Sequence, residues 1–273
     1  MRYRFAAFAD EAAPDLAGQI AAMRENGIEL LEIRGVDGEN IDRISCGKAR
    51  EIRKMLDDAG IAVWSLGSPF GKIGIGENFA PHLDSFKHSL ELAGILGAKH
   101  IRLFSFYGTT DIVPVLERLN RFIEAAEDSG IVLCHENEKG IYGDTAAKCA
   151  EIHKALPQLR AVFDPANFIQ CGQDTKQAWE LLSPYVEYMH IKDALPDGSV
   201  VPAGKGAGEL PFLLSQYKGE VLTVEPHLTV FAGFDKLETE QKTKMRYTYP
   251  DSRTAFTAAV NALKGIIGGQ QNG

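Results

Sequence analysis

Short apolar runs with strand character recur along the chain, each followed by a polar turn and then by a longer stretch whose apolar positions repeat at helical spacing. The runs begin near residues 3, 30, 61, 100, 131, 160, 186 and 220, and the stretches between them repeatedly stop at a glycine, among them Gly27, Gly60, Gly97 and Gly130. Glycine just past a helix takes the left-handed conformation that closes the last turn. The pattern predicts strands over residues 3–9, 30–34, 61–66 and 100–106, and helices over about 15–25, 48–58, 81–96 and 112–128. A last helix is expected over about 251–267, after a Pro250-Asp251 stop-and-cap signal.

Strand and helix alternating eight times imply a parallel sheet, and eight is the number at which such a sheet closes on itself. The expected fold class is therefore α/β, a (β/α)8 TIM barrel, with residues 1–273 forming a single domain. An open doubly wound sheet is the alternative, but it normally carries a glycine-rich phosphate turn after its first strand, and Phe8-Ala-Asp-Glu-Ala-Ala has none. Residues 231–249 read as a long loop with a polar helical piece, expected to act as a lid or as a homodimer contact. Residues 269–273 read as a flexible tail.

Four of the later runs close on side chains that can bind a metal. Ile131-Val-Leu-Cys-His-Glu-Asn-Glu-Lys-Gly140 passes from an apolar strand into dense charge at Glu136, and so much charge cannot continue into a core. The runs 160–164, 186–190 and 221–225 end on Asp164, His190 and Glu225. In a closed parallel barrel all the strand carboxyl ends open on one face, so these four side chains would converge there. The wider set of polar residues at strand ends is Asp10, Glu11, Glu32, Arg34, Ser68, Glu136, Asp164, His190, Lys192, Asp193 and Glu225. Carboxylates crowded at one mouth repel each other unless a cation sits among them, and three carboxylates with one imidazole suit a single divalent Mn, Mg, Co or Zn ion. Any one of these acids alone reads equally well as a solvated loop residue or a helix cap. Four in the same register of consecutive units do not.

Composition narrows the function classes. Apolar residues at 45% and charged residues at 24% are those of an ordinary globular protein, and the balance of 29 basic against 37 acidic side chains argues against broad binding to nucleic acid or to an anionic membrane. No apolar stretch is long enough to span a membrane, and no signal peptide is evident. The four cysteines are widely spaced without a CxxC pair, which fits reduced thiols and a cytoplasmic location. Cys134, inside an apolar strand, reads as packing rather than as a nucleophile.

The order Glu136-Asn, Asp164-Pro-Ala-Asn, His190-Ile-Lys-Asp, Pro202-Ala-Gly-Lys-Gly-Ala-Gly and Val224-Glu-Pro resembles the xylose isomerase-like TIM-barrel superfamily, in particular its sugar phosphate isomerase/epimerase branch. The resemblance covers nearly the whole chain. It implies that Glu136, Asp164, His190 and Glu225 are the four ligands of one divalent metal. The expected reaction uses that ion to acidify the proton next to a ketose carbonyl and to hold the resulting enediolate, with Glu136 and Glu225 exchanging the proton as acid and base. Epimerisation, aldose-ketose isomerisation and dehydration share that intermediate, so an inosose dehydratase-like lyase is the nearest alternative. An apurinic-site endonuclease-like hydrolase is a third reading, disfavoured by the acidic charge, by Asn167 and by Val201.

Two positions depart from the family pattern. Its frequent Asp-x-x-His is Asp164-Pro-Ala-Asn167 here, and Val200-Val201 stand where an arginine is common, so Lys192 is the expected cation near a sugar oxygen. The expected substrate contacts are Lys192, Asn167, Glu32 and Ser68, with Trp64 and Phe106 stacking on a sugar face. Gly204, Gly206 and Gly208, with Lys205, form either a phosphate cradle or a simple turn. His135 alternates away from Glu136 and reads as part of the barrel wall, and His82, His88, His100 and His153 read as structural. The expected partner is a small-molecule sugar.

Overall fold

The computed structural model describes residues 3–230 and 244–270, and eight parallel strands in it close into a barrel. These are β1 (Arg4–Ala7), β2 (Leu30–Ile33), β3 (Ala62–Leu66), β4 (His100–Leu103), β5 (Val132–Glu136), β6 (Arg160–Phe163), β7 (Val186–Ile191) and β8 (Val221–Val224). Each pairs with its neighbour in sequence, and β1 pairs with β8, Phe5 opposite Leu222, to complete the ring. The single-domain (β/α)8 expectation therefore holds.

The strands are short and buried on both faces, which explains their nearly continuous apolar sequences. Helices α1 (Leu16–Asn26), α2 (Cys46–Asp58), α3 (Phe79–Leu96), α4 (Ile112–Ala126), α5 (Ala146–Ala155), α6 (Pro165–Gln170), α7 (Thr175–Leu182), α8 (Leu210–Gln216) and α9 (Ser252–Gln270) surround them. Side chains of Asp15, Ser45, Asn78, Asp111, Thr145, Asp164 and Asp174 accept from the first turn of the helix that each precedes. Gly27 and Gly97 close α1 and α3 in the left-handed conformation, at φ +66° and +72°.

Successive strand residues point to opposite sides, so every second position enters the barrel. Ala6, Leu30, Cys134, Val162, Tyr188 and Val221, with Trp64 and Val132 against them, make a separate inner core low in the barrel. The next inward positions toward the carboxyl ends are Phe8, Glu32, Arg102, Glu136, Asp164, His190 and Thr223. Outward residues join the main core between the sheet and the helices. Two mismatches in register, at Leu31/Glu32 and at Ala161/Val162, lie on strands that deliver site residues.

β1 stops at Ala7 and α4 at Ala126, each two residues short of the expectation, and three further differences have a structural reason or bear on the loops. β4 stops at Leu103, because Phe104 N–H and Phe106 N–H donate instead to Phe70 and Gly71 carbonyls of the preceding loop. Gly71 is required there: its φ is +93° and a Cβ would stand 2.0 Å from the Phe104 carbonyl oxygen. The last helix runs through Gly268-Gly269 to Gln270, so the expected tail is shorter, and residues 271–273 lie outside the described residues. Of the expected loop 231–249, residues 231–243 likewise lie outside them. Residues 244–249 are not helical, and Val200 N–H donates to the Lys244 carbonyl at 2.8 Å.

The structural reading of His153 carries a prediction. Its ring is buried, stacks on Tyr185 at 5.1 Å and lies 5.7 Å from His135, and Nδ1 faces the Leu159 carbonyl at 3.1 Å. Burial pushes its pKa down to about 4 against a weaker opposing effect of that hydrogen bond. The unfolded chain takes up the proton below about 6.5 while the folded chain does not, so stability falls as pH drops from 6.5 toward 4, by about 3 kcal/mol at most. Urea unfolding at pH 7 and pH 5 should show this loss, and His153→Gln should reduce it. An equal pH slope in the variant would contradict the assignment.

Candidate metal centre and its surroundings

Glu136 is the last residue of β5, Asp164 follows β6, His190 lies in β7 and Glu225 follows β8, so four consecutive strands each deliver one of them. One ligand atom from each lies within 4.8 Å of all the others, and all four side chains are buried. Neighbouring parallel strands of one closed barrel bring residues so distant in sequence to one point. Asp164 also caps α6: Oδ1 accepts from Asn167 N–H at 3.0 Å, which leaves Oδ2 turned toward the cluster. Cap and candidate ligand are thus two oxygens of one carboxylate.

His190 organises the cluster. Nδ1 lies 2.9 Å from Glu136 Oε1 and 3.3 Å from Glu225 Oε2, while Nε2 lies 3.1 Å from Glu32 Oε2. Burial opposes a charge on this ring, but the carboxylates of Glu136 and Glu32 overcome it and hold the pKa well above the ordinary imidazole range. Loss of the Nδ1 proton would leave a lone pair directed between the two glutamates. The opposite nitrogen would stay tied to a carboxylate, the usual anchoring of a metal-binding histidine.

Cations hold the carboxylates. Lys192 Nζ lies 2.8 Å from Asp164 Oδ2 and 3.1 Å from Glu225 Oε2; Arg102 Nη1 lies 3.1 Å from Glu136 Oε2; Arg34 Nη1 lies 3.4 Å from Glu225 Oε1. Burial drives Asp164 up to about 7 although Lys192 pulls the other way. Glu225 is buried too, yet Lys192 and His227 bring it well below the carboxylate range. Phe8 forms the floor, its ring 4.3 Å from the Arg34 guanidinium, 5.1 Å from that of Arg102 and edge-on to His190 at 5.2 Å.

These residues fit a divalent cation. Glu136 Oε2 and Asp164 Oδ2 are buried without a well-formed hydrogen bond, each facing only a cationic nitrogen. Three carboxylates and an imidazole are the donor set that manganese, magnesium, cobalt or zinc accept. The cavity beside the cluster, lined by Glu136, Asn167, Lys192 and Glu225 among others, measures about 30 Å³, room for an ion or a little water. A larger chamber of about 440 Å³ adjoins it and shares Arg34, Lys72 and Arg102 as walls.

The expected substrate residues divide. Lys192 and Asn167 line the small cavity, and Asn167 Nδ2 reaches Glu136 Oε1 at 3.4 Å and donates to the Asn137 carbonyl at 2.9 Å. Glu32 does not reach either cavity: it is fully buried beneath His190 and accepts from Tyr188 Oη at 2.8 Å. Ser68 is buried and its hydroxyl donates to the Arg102 carbonyl. Trp64 sits in the inner core at the closed end, 4.1 Å from the His100 ring. Phe106 turns outward, with φ +65°, and packs on Phe79 and Phe122. Trp64 and Phe106 are therefore placed where they cannot stack on a ligand at the mouth.

The glycine-rich loop is already occupied by the chain itself. Gly204, Gly206 and Gly208 N–H groups donate to the Asp193 carboxylate at 2.9, 3.0 and 2.9 Å. A Cβ at Gly206 would stand 2.3 Å from Asp193 Oδ1. The sequence reading missed Arg102, whose signal was a lone cation inside Ile101-Arg102-Leu103, and His227, which lies 3.4 Å from Glu225 Oε1 just beyond β8.

The model of one protein family, the xylose isomerase-like TIM barrel, matches residues 20–219. The uncharacterized protein YihM of Escherichia coli (strain K12) is 24% identical over 203 residues, which cover 69% of this chain and 57% of YihM, so the chain spans little more than half of that relative. The probable 3-DHS dehydratase AsbF of Bacillus anthracis is 14% identical with a TM-score of 0.73, covering 97% of this chain and 99% of AsbF. The zinc-bound IOLI protein is 15% identical at a TM-score of 0.73, with 97% and 98% covered. A D-tagatose 3-epimerase-like protein is 17% identical at 0.73, with 98% of each chain covered. At these identities the solved structures show the shared fold, and the family match extends over most of the sequence. This chain belongs to the xylose isomerase-like TIM barrel family.

Proposed function

We propose that this protein is a divalent-metal-dependent isomerase that moves a carbon-bound proton next to the carbonyl of a ketose, as an epimerase or an aldose-ketose isomerase. The observation that carries the reading is the convergence of Glu136, Asp164, His190 and Glu225 within 4.8 Å, with His190 anchored from behind by Glu32. A divalent ion bound by these four supplies Lewis acidity toward substrate oxygens. The chain's own residues supply the rest. Glu225, kept ionised by Lys192 and His227 against its burial, is suited to accept a proton. Glu136, across the same small space and braced by Arg102, is placed to return one. Lys192 Nζ, between Asp164 and Glu225, is placed to donate to a substrate oxygen on which charge develops.

Lys192 also favours a second reading, because an ammonium at that point can protonate a departing hydroxyl and turn the same proton abstraction into a dehydration. One experiment separates the two. Metal content is measured, and a panel of ketoses is incubated with the metal-loaded protein in D2O. Deuterium at the carbon next to the carbonyl supports the isomerase reading, loss of water from the sugar supports the lyase, and neither exchange nor loss overturns both.

A further inference from the structure

A further set of metal-binding side chains converges outside the barrel, where α2 meets α3. Cys46 is the first residue of α2, and His88 and Glu91 stand three residues apart on α3, so one turn of that helix presents both on one side. One ligand atom from each of the three lies within 4.8 Å of the others. We infer that Cys46, His88 and Glu91 form a second metal site, separate from the four-residue centre, that takes one zinc-class divalent cation with water as its fourth ligand.

Two contacts prepare the site. His88 Nε2 lies 2.9 Å from the Ile44 carbonyl. A carbonyl only accepts, so Nε2 carries the ring proton and the neutral imidazole keeps its lone pair on Nδ1, anchored through the opposite nitrogen as metal-binding histidines usually are. The Cys46 thiol donates a hydrogen bond to the Glu91 carboxylate, which raises the thiol pKa above its ordinary value, while Arg50, one turn along α2, opposes that rise. A divalent cation takes the place of the shared proton: the S–H bond breaks, sulfur and a carboxylate oxygen both bind the ion, and the proton passes to solvent. Asp42 adds negative charge nearby. Burial raises its pKa, His88 is among the groups that pull it back, and its buried Oδ1 has no well-formed hydrogen bond. A cation held on His88 would answer a carboxylate that Arg43 Nε approaches only to 3.9 Å.

The donor set decides the class of ion. Magnesium and calcium take oxygen ligands, whereas a thiolate beside an imidazole suits zinc or cobalt, and zinc accepts three protein ligands with water in the fourth position. Water reaches this site, because Glu91 is exposed and Cys46 and His88 are half-buried. The ion would clamp the start of α2 to the middle of α3, two helices that Arg53 Nη1 already ties further along by donating to the Leu96 carbonyl. The clamped segment leads on from Arg43, which lines the larger chamber, so the ion would hold part of that chamber's wall from outside.

Cobalt(II) titration of the metal-free full-length chain tests the inference. A thiolate bound to cobalt gives a near-ultraviolet charge-transfer band that carboxylates and imidazole do not give, and the four-residue centre holds no cysteine, so the two sites report separately. The band is expected to saturate at one cobalt per chain, to vanish on addition of zinc and in Cys46→Ser, and to require at least about tenfold more cobalt in His88→Gln, whose ring is lost as ligand. Both substitutions lie outside the inner core, and circular dichroism confirms that the variants fold. No band, a band that survives Cys46→Ser, or one half-developed only at about millimolar cobalt, the strength of an adventitious surface contact, overturns the inference.

Discussion

Glu225→Gln is expected to lower solvent-deuterium exchange into a responsive ketose by about a thousandfold or more, the scale on which a positioned acid or base acts. The amide keeps the size of the side chain but neither takes up a proton at neutral pH nor carries charge. Both oxygens are engaged in the wild type, Oε2 with Lys192 and His190 and Oε1 with Arg34 and His227. Burial alone would protonate this group; Lys192 and His227 keep its pKa well below the usual carboxylate range, so it is a base at neutral pH. The variant also leaves Lys192 with Asp164 as its nearest carboxylate, and some metal affinity should go with the charge. Exchange rates must therefore be measured at saturating metal, with circular dichroism to confirm folding. Exchange within tenfold of wild type at full metal occupancy would remove Glu225 from the reaction.

The barrel was legible because a parallel sheet buried on both faces must be written in short apolar runs, and glycine marks the helix ends at Gly27 and Gly97. The four cluster residues were legible for the opposite reason, as polar side chains that interrupt such runs at the carboxyl end. Arg102 escaped notice because it interrupts its run from within, and only the closed ring shows that β4 aims it at Glu136 on β5. Trp64 and Phe106 were misplaced by a related omission. A strand alternates two faces and also has two ends, and proximity in sequence to the carboxyl end decides neither. Trp64 faces inward at the closed end, and Phe106 lies past the end of β4 in a left-handed turn that rotates its ring toward α3 and α4. Glu32 shows the same limit in a useful way: position pointed to the mouth, and depth put it one layer below.

That depth is the basis of the second large effect. Glu32→Leu should destabilise the metal-free protein by about 3–5 kcal/mol, the cost of removing one partner from a buried ion pair. Glu32 is fully buried, accepts from Tyr188 Oη at 2.8 Å and lies 3.1 Å from His190 Nε2. Burial opposes its ionisation, but His190 outweighs that and holds its pKa below the usual carboxylate range, so the pair is charged on both sides. Leucine would leave His190 Nε2 and Tyr188 Oη against an apolar wall, with Glu136 and Glu225 on the Nδ1 side as the remaining carboxylates of the ring. Glu32→Gln isolates the consequence for the metal. It keeps a polar group for Tyr188 but supplies no charge to fix the imidazole, and affinity for the divalent ion is expected to fall by about ten- to a hundredfold. Chelator competition with manganese or zinc measures that affinity, and urea unfolding of the metal-free forms measures the stability. If Glu32→Gln binds the ion as tightly as the wild type, His190 is not a ligand oriented through Glu32, and the four-residue centre loses the anchoring that distinguishes it from a buried ion-pair network.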